Sequence, residues 1–168
     1  QLETDLPTAM IMEELPQPRP TYLLKRGQYN SPDKSEVIAA EVPSFLPPLP
    51  NGEPANRLAL AHWLIDPAHP LTTRVQVNRL WRQFFGVGLV KTANDFGLQG
   101  ERPSHPELLD WLAVELVESA WDLKHVQRLI VTSAAYRQSS QAGADAYVRD
   151  PANRLLTRRP RFRLPAEL

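Results

Sequence analysis

The residues best suited to chemistry fall in one polar, glycine-punctuated run, Asn94-Asp95-Phe96-Gly97-Leu98-Gln99-Gly100-Glu101-Arg102, which leads into Pro103-Ser104-His105-Pro106-Glu107. An imidazole close to carboxylates can take and return protons near neutral pH, so Asp95, Glu101 and His105 are the candidates for a general acid and base. Arg102 in the same run, with Asn78 and Arg79 upstream, are the candidates for holding a substrate. Each has a structural reading beside the chemical one. Asp95 suits a turn that bonds its own backbone, Phe96 an anchor into the core, and Gly97 and Gly100 positions of positive φ. His105 stands in the first turn of a helix, where the N-terminus depresses imidazole basicity, so a neutral structural role is equally open to it.

Other chemistries lack their parts. Asp95-Phe96-Gly97 matches a magnesium-binding tripeptide of protein kinases, but no glycine-rich phosphate loop, strand lysine or H-R-D loop accompanies it. The four histidines, His62, His69, His105 and His125, show neither H-x-H nor H-x-x-x-H spacing, so no metal site is expected. There is no G-x-S-x-G elbow, and the absence of cysteine removes thiol nucleophiles, disulfides and covalent haem attachment within these residues.

Helices must position the loop. Asn56 is a good cap, and Leu58, Ala61, Leu64 and Ile65 keep helical spacing until Asp66-Pro67 stops them. A second helix is predicted from Thr72 or Thr73 to Phe85, with Val77, Leu80, Trp81, Phe84 and Phe85 on one face and Gly86 as its left-handed stop. Arg74, Asn78 and Arg82 form a polar stripe on the same helix, flanked by Arg79. Such a stripe either faces water or is buried against loop carboxylates; polar residues set between Val77 and Leu80 need partners, so Asp95 is expected to contact Asn78 or Arg79, a pair whose loss would cost about 3–5 kcal/mol if buried and about 0–1 if exposed. A third helix is predicted over 104–119, opened by a capping box between Ser104 and Glu107, and a fourth from the Asp122 cap to about Tyr136. The sequence Asp150-Pro151-Ala152-Asn153-Arg154-Leu155 echoes Glu53-Pro54-Ala55-Asn56-Arg57-Leu58 and predicts a second use of the same helix-start device, with Asn as cap.

Residues 1–55 differ from the rest. They hold 10 of the 17 prolines, which excludes long helices and predicts an extended arm packed on a helical body of residues 56–168, together one domain. Ala9-Met10-Ile11-Met12 and Thr21-Tyr22-Leu23-Leu24-Lys25 are β-leaning runs that could pair as a short hairpin or lie singly on the body, Gly27 to Asp33 is a turn cluster, and Phe45-Leu46-Pro47-Pro48-Leu49-Pro50 suits a polyproline-like strip against aromatic side chains. The fold class is therefore mainly α, an irregular helical domain with a proline-rich N-terminal arm.

Net charge is zero, but unevenly spread: residues 1–55 carry 4 basic and 8 acidic side chains, 56–121 carry 6 and 7, and 122–168 carry 9 and 4. Six arginines, Arg149, Arg154, Arg158, Arg159, Arg161 and Arg163, crowd the last part. An acidic arm beside a basic tail favours internal neutralisation, and the arginines lack regularly interleaved aromatics, so nucleic acid is not an expected partner. No apolar run reaches the ~18 residues of a membrane span, and Gln1-Leu2-Glu3-Thr4-Asp5 is not a signal peptide. Both ends read as cuts, the last residues, Leu164-Pro165-Ala166-Glu167-Leu168, being the first turn of a helix without its body.

These motifs, taken together, resemble a known family. Pro18-Arg19-Pro20-Thr21-Tyr22 with Arg26-Gly27, Asn56-Arg57-Leu58-Ala59, Val77-Asn78-Arg79-Leu80-Trp81 with Phe85-Gly86, Asp95-Phe96-Gly97, the run from Pro103 to Leu112, Tyr136-Arg137-Gln138-Ser139-Ser140 and Asn153-Arg154-Leu155-Leu156 are similar to the planctomycete domain of unknown function fifteen-fifty-three. Ala120 before Trp121, where the family usually has glycine, and the missing helix after Pro165 are the departures. The resemblance implies a C-terminal domain of large exported bacterial proteins that carry a cytochrome-c-like domain, hence an extracytoplasmic location, with the haem motif outside these residues and no cofactor within them. It implies no catalytic residues. The expected function is a noncatalytic or co-catalytic module that docks on neighbouring domains of the same polypeptide. The alternative, from the residues alone, is a hydrolase of a polysaccharide or related polymer using Asp95, Glu101 and His105, with Arg79 or Arg102 binding substrate.

Overall fold

The computed structural model describes residues 9–50, 52 and 54–162. The expected helical turn at 164–168 and Arg163 lie outside them. Among the described residues, six α-helices and one two-stranded antiparallel sheet make the fold mainly α, and the chain divides into two compact units, residues 1–63 and 64–168.

In the first unit, β1 (Thr21–Leu24) pairs with β2 (Pro32–Ile38), with Leu24 opposite Pro32 and Thr21 opposite Ile38. The hairpin exists, but Thr21–Leu24 does not pair with Ala9-Met10-Ile11-Met12, whose Met10, Ile11 and Met12 are exposed. The pairing with Pro32–Ile38 goes with a reversal just after Leu24, where Arg26 and Gly27 both adopt positive φ, 52° and 72°. Helix α1 (Arg57–Ile65) starts as its cap predicts, the Asn56 side-chain oxygen accepting from the Ala59 N–H at 2.9 Å. The proline strip meets an aromatic, since the Trp63 indole N–H donates to the Pro47 carbonyl at 2.6 Å. Arg57 donates to Glu14 from its side chain at 2.6 Å and from its backbone at 3.4 Å.

The second unit holds the core. Helix α2 (Thr72–Phe85) contributes Val77, Leu80, Trp81 and Phe85, α3 (Pro106–Glu118) Leu109, Leu112, Ala113 and Leu116, and α4 (Leu123–Thr132) Val126 and Ile130. Gly86 stops α2 at φ 77°, as its position predicts. The predicted fourth helix is two: Ser133, extended at ψ 150°, ends α4 and caps the short α5 (Ala134–Arg137), its hydroxyl accepting from the Tyr136 N–H. A further short helix, α6 (Ala144–Arg149), comes after the polar stretch.

Residues 88–90 thread through this core, and Asn78 holds them. Its side-chain nitrogen donates to the Val90 carbonyl at 3.0 Å and its oxygen accepts from the Val90 N–H at 2.8 Å, so one amide satisfies both backbone groups of that residue with no exposed surface. The approach is so close that a Cβ on Gly88 would lie 2.6 Å from the Val90 carbonyl oxygen and 2.7 Å from the Asn78 amide, which leaves glycine as the residue that fits.

The helix-start echo fails at its second use. Asn153 sits at φ 52° in a turn, and its amide brackets Arg158, donating to the carbonyl at 2.7 Å and accepting from the N–H at 3.2 Å. Asp150, a methylene shorter than Glu53, instead caps the backbone N–H groups of Arg154 and Leu155 at 2.7 and 2.8 Å. The first copy runs on into Ala59-Leu60-Ala61, whereas the second meets Pro160 before a helix can extend.

Both units offer a contact whose strength can be measured. Asn78→Ala strands the Val90 N–H and carbonyl in the core and leaves a cavity, a loss of about 3–5 kcal/mol in urea unfolding. Asn78→Asp, which cannot donate to that carbonyl, is expected to fare no better. The paired hydrogen bonds from Arg57 hold the Glu14 carboxyl below the ordinary 4.5. A depressed acid lends its stabilisation above the unfolded value and loses it as pH falls through the folded one, so the link is expected to persist at pH 4.5 and melt below it. Carbon-detected titration of Glu14 reads this directly, and Arg57→Gln should return the carboxyl to its ordinary range.

Candidate functional site

The loop from Lys91 to His105 is built on Thr92. Its hydroxyl donates to the Asp95 carbonyl at 2.8 Å and accepts from the Glu101 N–H at 2.9 Å, which draws the two ends of the glycine run together. The Asp95 carboxylate accepts from the Gly97 N–H at 2.8 Å, the self-bonded turn that its residue type predicts. Phe96 packs against the core as an anchor. The glycines serve differently from expectation: neither Gly97 nor Gly100 has positive φ, and Gly100 is required because a Cβ there would lie 2.3 Å from the Asp95 carbonyl oxygen.

The expected partnership of Asp95 with Asn78 or Arg79 is not what the structure contains. Asn78 gives its amide to Val90, and Arg79 is exposed on the far side of α2 from the buried Val77, Asn78 and Leu80. On the same stripe, Arg74 does find a carboxylate, donating to Asp110 at 2.7 Å. The capping box at α3 is also replaced. Ser104 is drawn to Leu89, its N–H donating to that carbonyl at 2.9 Å and its hydroxyl at 3.3 Å, so the helix begins one residue later with His105 at the cap. The Ser104 hydroxyl also lies within hydrogen-bond reach of His105 Nδ1, 3.0 Å away.

Among the described residues no hydrogen bond or ion pair joins Asp95, Glu101 and His105 to one another. Asp95 lines a shallow depression with Arg82, Lys91 and Asn94. Glu101 and Arg102 line another, with Phe96 and the Arg74–Asp110 pair, and Glu101 itself reaches Lys91 at 3.2 Å. His105 lines neither. The described residues bring no three His, Asp or Glu side chains into a metal-holding group.

The larger feature lies on the other side of α2, and reading the sequence for acids and bases missed it. A groove of about 610 Å³ is lined by Gln83 and Phe84 from the last turn of α2, Gln127 from α4, Tyr136 from α5, Ser140, and the segment Arg159-Pro160-Arg161-Phe162. The C-terminal segment is fixed in place by backbone and side-chain bonds: the Arg159 N–H donates to the Ser139 carbonyl at 3.0 Å and Gln138 donates to the Leu156 carbonyl at 2.8 Å. Phe162 lies against Gly86, where a Cβ would come within 3.1 Å of its ring. Tyr136 is the hub. Phe84 and Phe85 meet it edge-on at 5.9 and 5.8 Å between centroids, and the Arg159 guanidinium covers its ring at 4.7 Å while reaching its hydroxyl at 3.3 Å. The sequence signal for this site is the arginine cluster together with Tyr136-Arg137-Gln138-Ser139-Ser140, which are far apart along the chain and come together only in the fold.

The arrangement defines a helical module that carries an aromatic, arginine-bearing groove. The chain belongs to the PSD1 family, a protein of unknown function (DUF1553), whose model matches residues 56–168. This is the family that the motifs resemble. Neither a curated protein nor a solved structure matches the chain. No helix among the described residues is long and apolar enough to cross a membrane.

Because Arg79 is exposed, Arg79→Ala is expected to lower stability by about 0.5 kcal/mol or less, the ordinary range for a surface change. Gly100→Ala, which drives a methyl into the Asp95 carbonyl, should destabilise by about 1–3 kcal/mol. Parallel urea titrations of the two variants check both.

Proposed function

We propose that this chain is a noncatalytic interaction module of an exported multidomain bacterial protein, docking on a neighbouring domain of its own polypeptide. The groove carries this reading. It is open, and its lining of Tyr136, Phe84, Phe162, Arg159 and Arg161 has the composition of an interface anchor site: aromatics supply contact area with few rotors to freeze, and arginines supply planar donors. It is built from a rigid base, since Phe85 and Trp81 stack at 4.1 Å directly behind the Tyr136 ring's contacts.

The wider context is a proposal resting on the family resemblance alone. A cytochrome-c-like domain elsewhere in the polypeptide would be the redox partner, and the location would be extracytoplasmic. This chain has no cysteine for thioether attachment, so such a haem would be held by residues outside it. The hydrolase alternative gains no support from the geometry, because Asp95 and His105 do not converge on one cleft and Glu101 is paired with Lys91.

The test compares hydrogen exchange in the parent polypeptide with that of this chain alone. Amides of residues 83–86, 136–140, 159, 161 and 162 should exchange about tenfold more slowly in the parent, where a neighbour covers them. Equal exchange throughout would overturn the reading, as would glycan hydrolysis by the parent that is abolished in Asp95→Asn.

A further inference from the structure

Resting on the reading of the groove as an interaction site, we infer that its occupant is an acidic, extended polypeptide segment that presents carboxylates to Arg159 and Arg161. Charge is the first argument. Two guanidinium groups line the groove and, among the described residues, no carboxylate does. Arg161 is exposed and makes no hydrogen bond or ion pair with a described residue, and Arg159 uses one N–H on the Tyr136 hydroxyl. Both therefore keep donors in the fork geometry that matches a carboxylate.

The uncharged residues decide what carries those carboxylates. Gln83 on α2, Gln127 on α4 and the Ser140 hydroxyl place donors and acceptors on the walls, as a peptide backbone running along the groove requires. Phe84 and Phe162 give apolar contacts for side chains between the acidic ones, Phe162 being 42% exposed. An acidic sugar would need an open aromatic face to stack on. The Tyr136 ring does not provide one, because the Arg159 guanidinium lies over it and Phe84 and Phe85 pack on it in T-shaped contacts, and the Phe162 ring is laid against Gly86. Tyr136 instead serves as the support that holds Arg159 over the groove, a cation fixed by stacking before any ligand arrives.

The experiment is fluorescence anisotropy on this chain with a labelled peptide alternating glutamate with leucine and glycine, a matching peptide with glutamine for every glutamate, and an unlabelled polyuronate oligosaccharide as competitor. The acidic peptide should bind about tenfold or more tightly than its glutamine counterpart, and raising salt from about 50 to about 300 mM should weaken it several-fold. Arg161→Gln, an exposed substitution that leaves the fold intact by circular dichroism, should weaken it about three- to tenfold, and Arg159→Gln with Arg161→Gln further still. Equal binding of the two peptides, or an unchanged affinity in Arg161→Gln, would sink the assignment. Competition by the polyuronate at lower concentration than the unlabelled acidic peptide would transfer the groove to glycans and overturn the peptide reading. Hydrogen exchange in the parent separates the two levels. If the peptide fails to bind while the groove stays protected in the parent, the acidic occupant falls and the docking function stands. If protection is missing as well, both fall.

Discussion

A peptide group in a protein core must find both a donor and an acceptor, and Val90 finds them on one side chain. The Asn78 amide closes a two-bond ring with the Val90 backbone, fully out of water, and so turns an irregular strip of residues 88–90 into part of the core. The neighbouring carbonyls are met from elsewhere: Ser104 reaches Leu89 from the start of α3, and Arg154 reaches Gly88 and Leu89 at 3.1 and 3.2 Å. Three parts of the chain thus meet on three residues. The turn that carries Arg154 is thereby tied to α2 and to the start of α3.

Much of the polar sequence serves this construction. Asp150 and Asn153 shape the turn from which Arg154 extends, and Arg158, nearly buried over the Tyr147 ring at 4.3 Å, closes it by donating to the carbonyls of Asp150 and Pro151. Of the arginines crowding the end of the chain, these two face inward as backbone ligands. Arg159 and Arg161, next in line, face the groove. One run of sequence therefore divides into a half that binds the protein's own backbone and a half that lines the groove, and the first fixes the position of the second.

The helices were legible because period and caps state them locally: Asn56, Gly86 and Asp122 act as a single-sequence reading expects. The failures share a physical cause. Ser104 has the sequence of a capping box, but a carbonyl at Leu89 competes successfully with Glu107 for it, and Asn78 has a buried backbone partner twelve residues away that composition cannot name. Asn153 repeats the local sequence of Asn56 and adopts a different turn, since the residues after each motif decide whether a helix can propagate. The Arg26-Gly27 reversal after β1 was visible, yet a non-glycine residue at positive φ is too infrequent for sequence to assign. The acid–base candidates stood together in sequence and are dispersed over separate surfaces, whereas the groove residues, spread from Gln83 to Phe162, are gathered into one.

The reach of Arg154 also orders events in time. Its guanidinium meets carbonyls 66 and 65 positions earlier, so the helices α2 to α4 can collapse while that end of the strip is still solvated. Closing such a long loop adds little equilibrium cost beyond a shorter one, but it comes late, after the local contacts. On a growing chain, the Gly88 carbonyl would wait for Arg154 to be synthesised, and the groove, part of whose lining is the segment just after it, would be the last surface of this unit to take form.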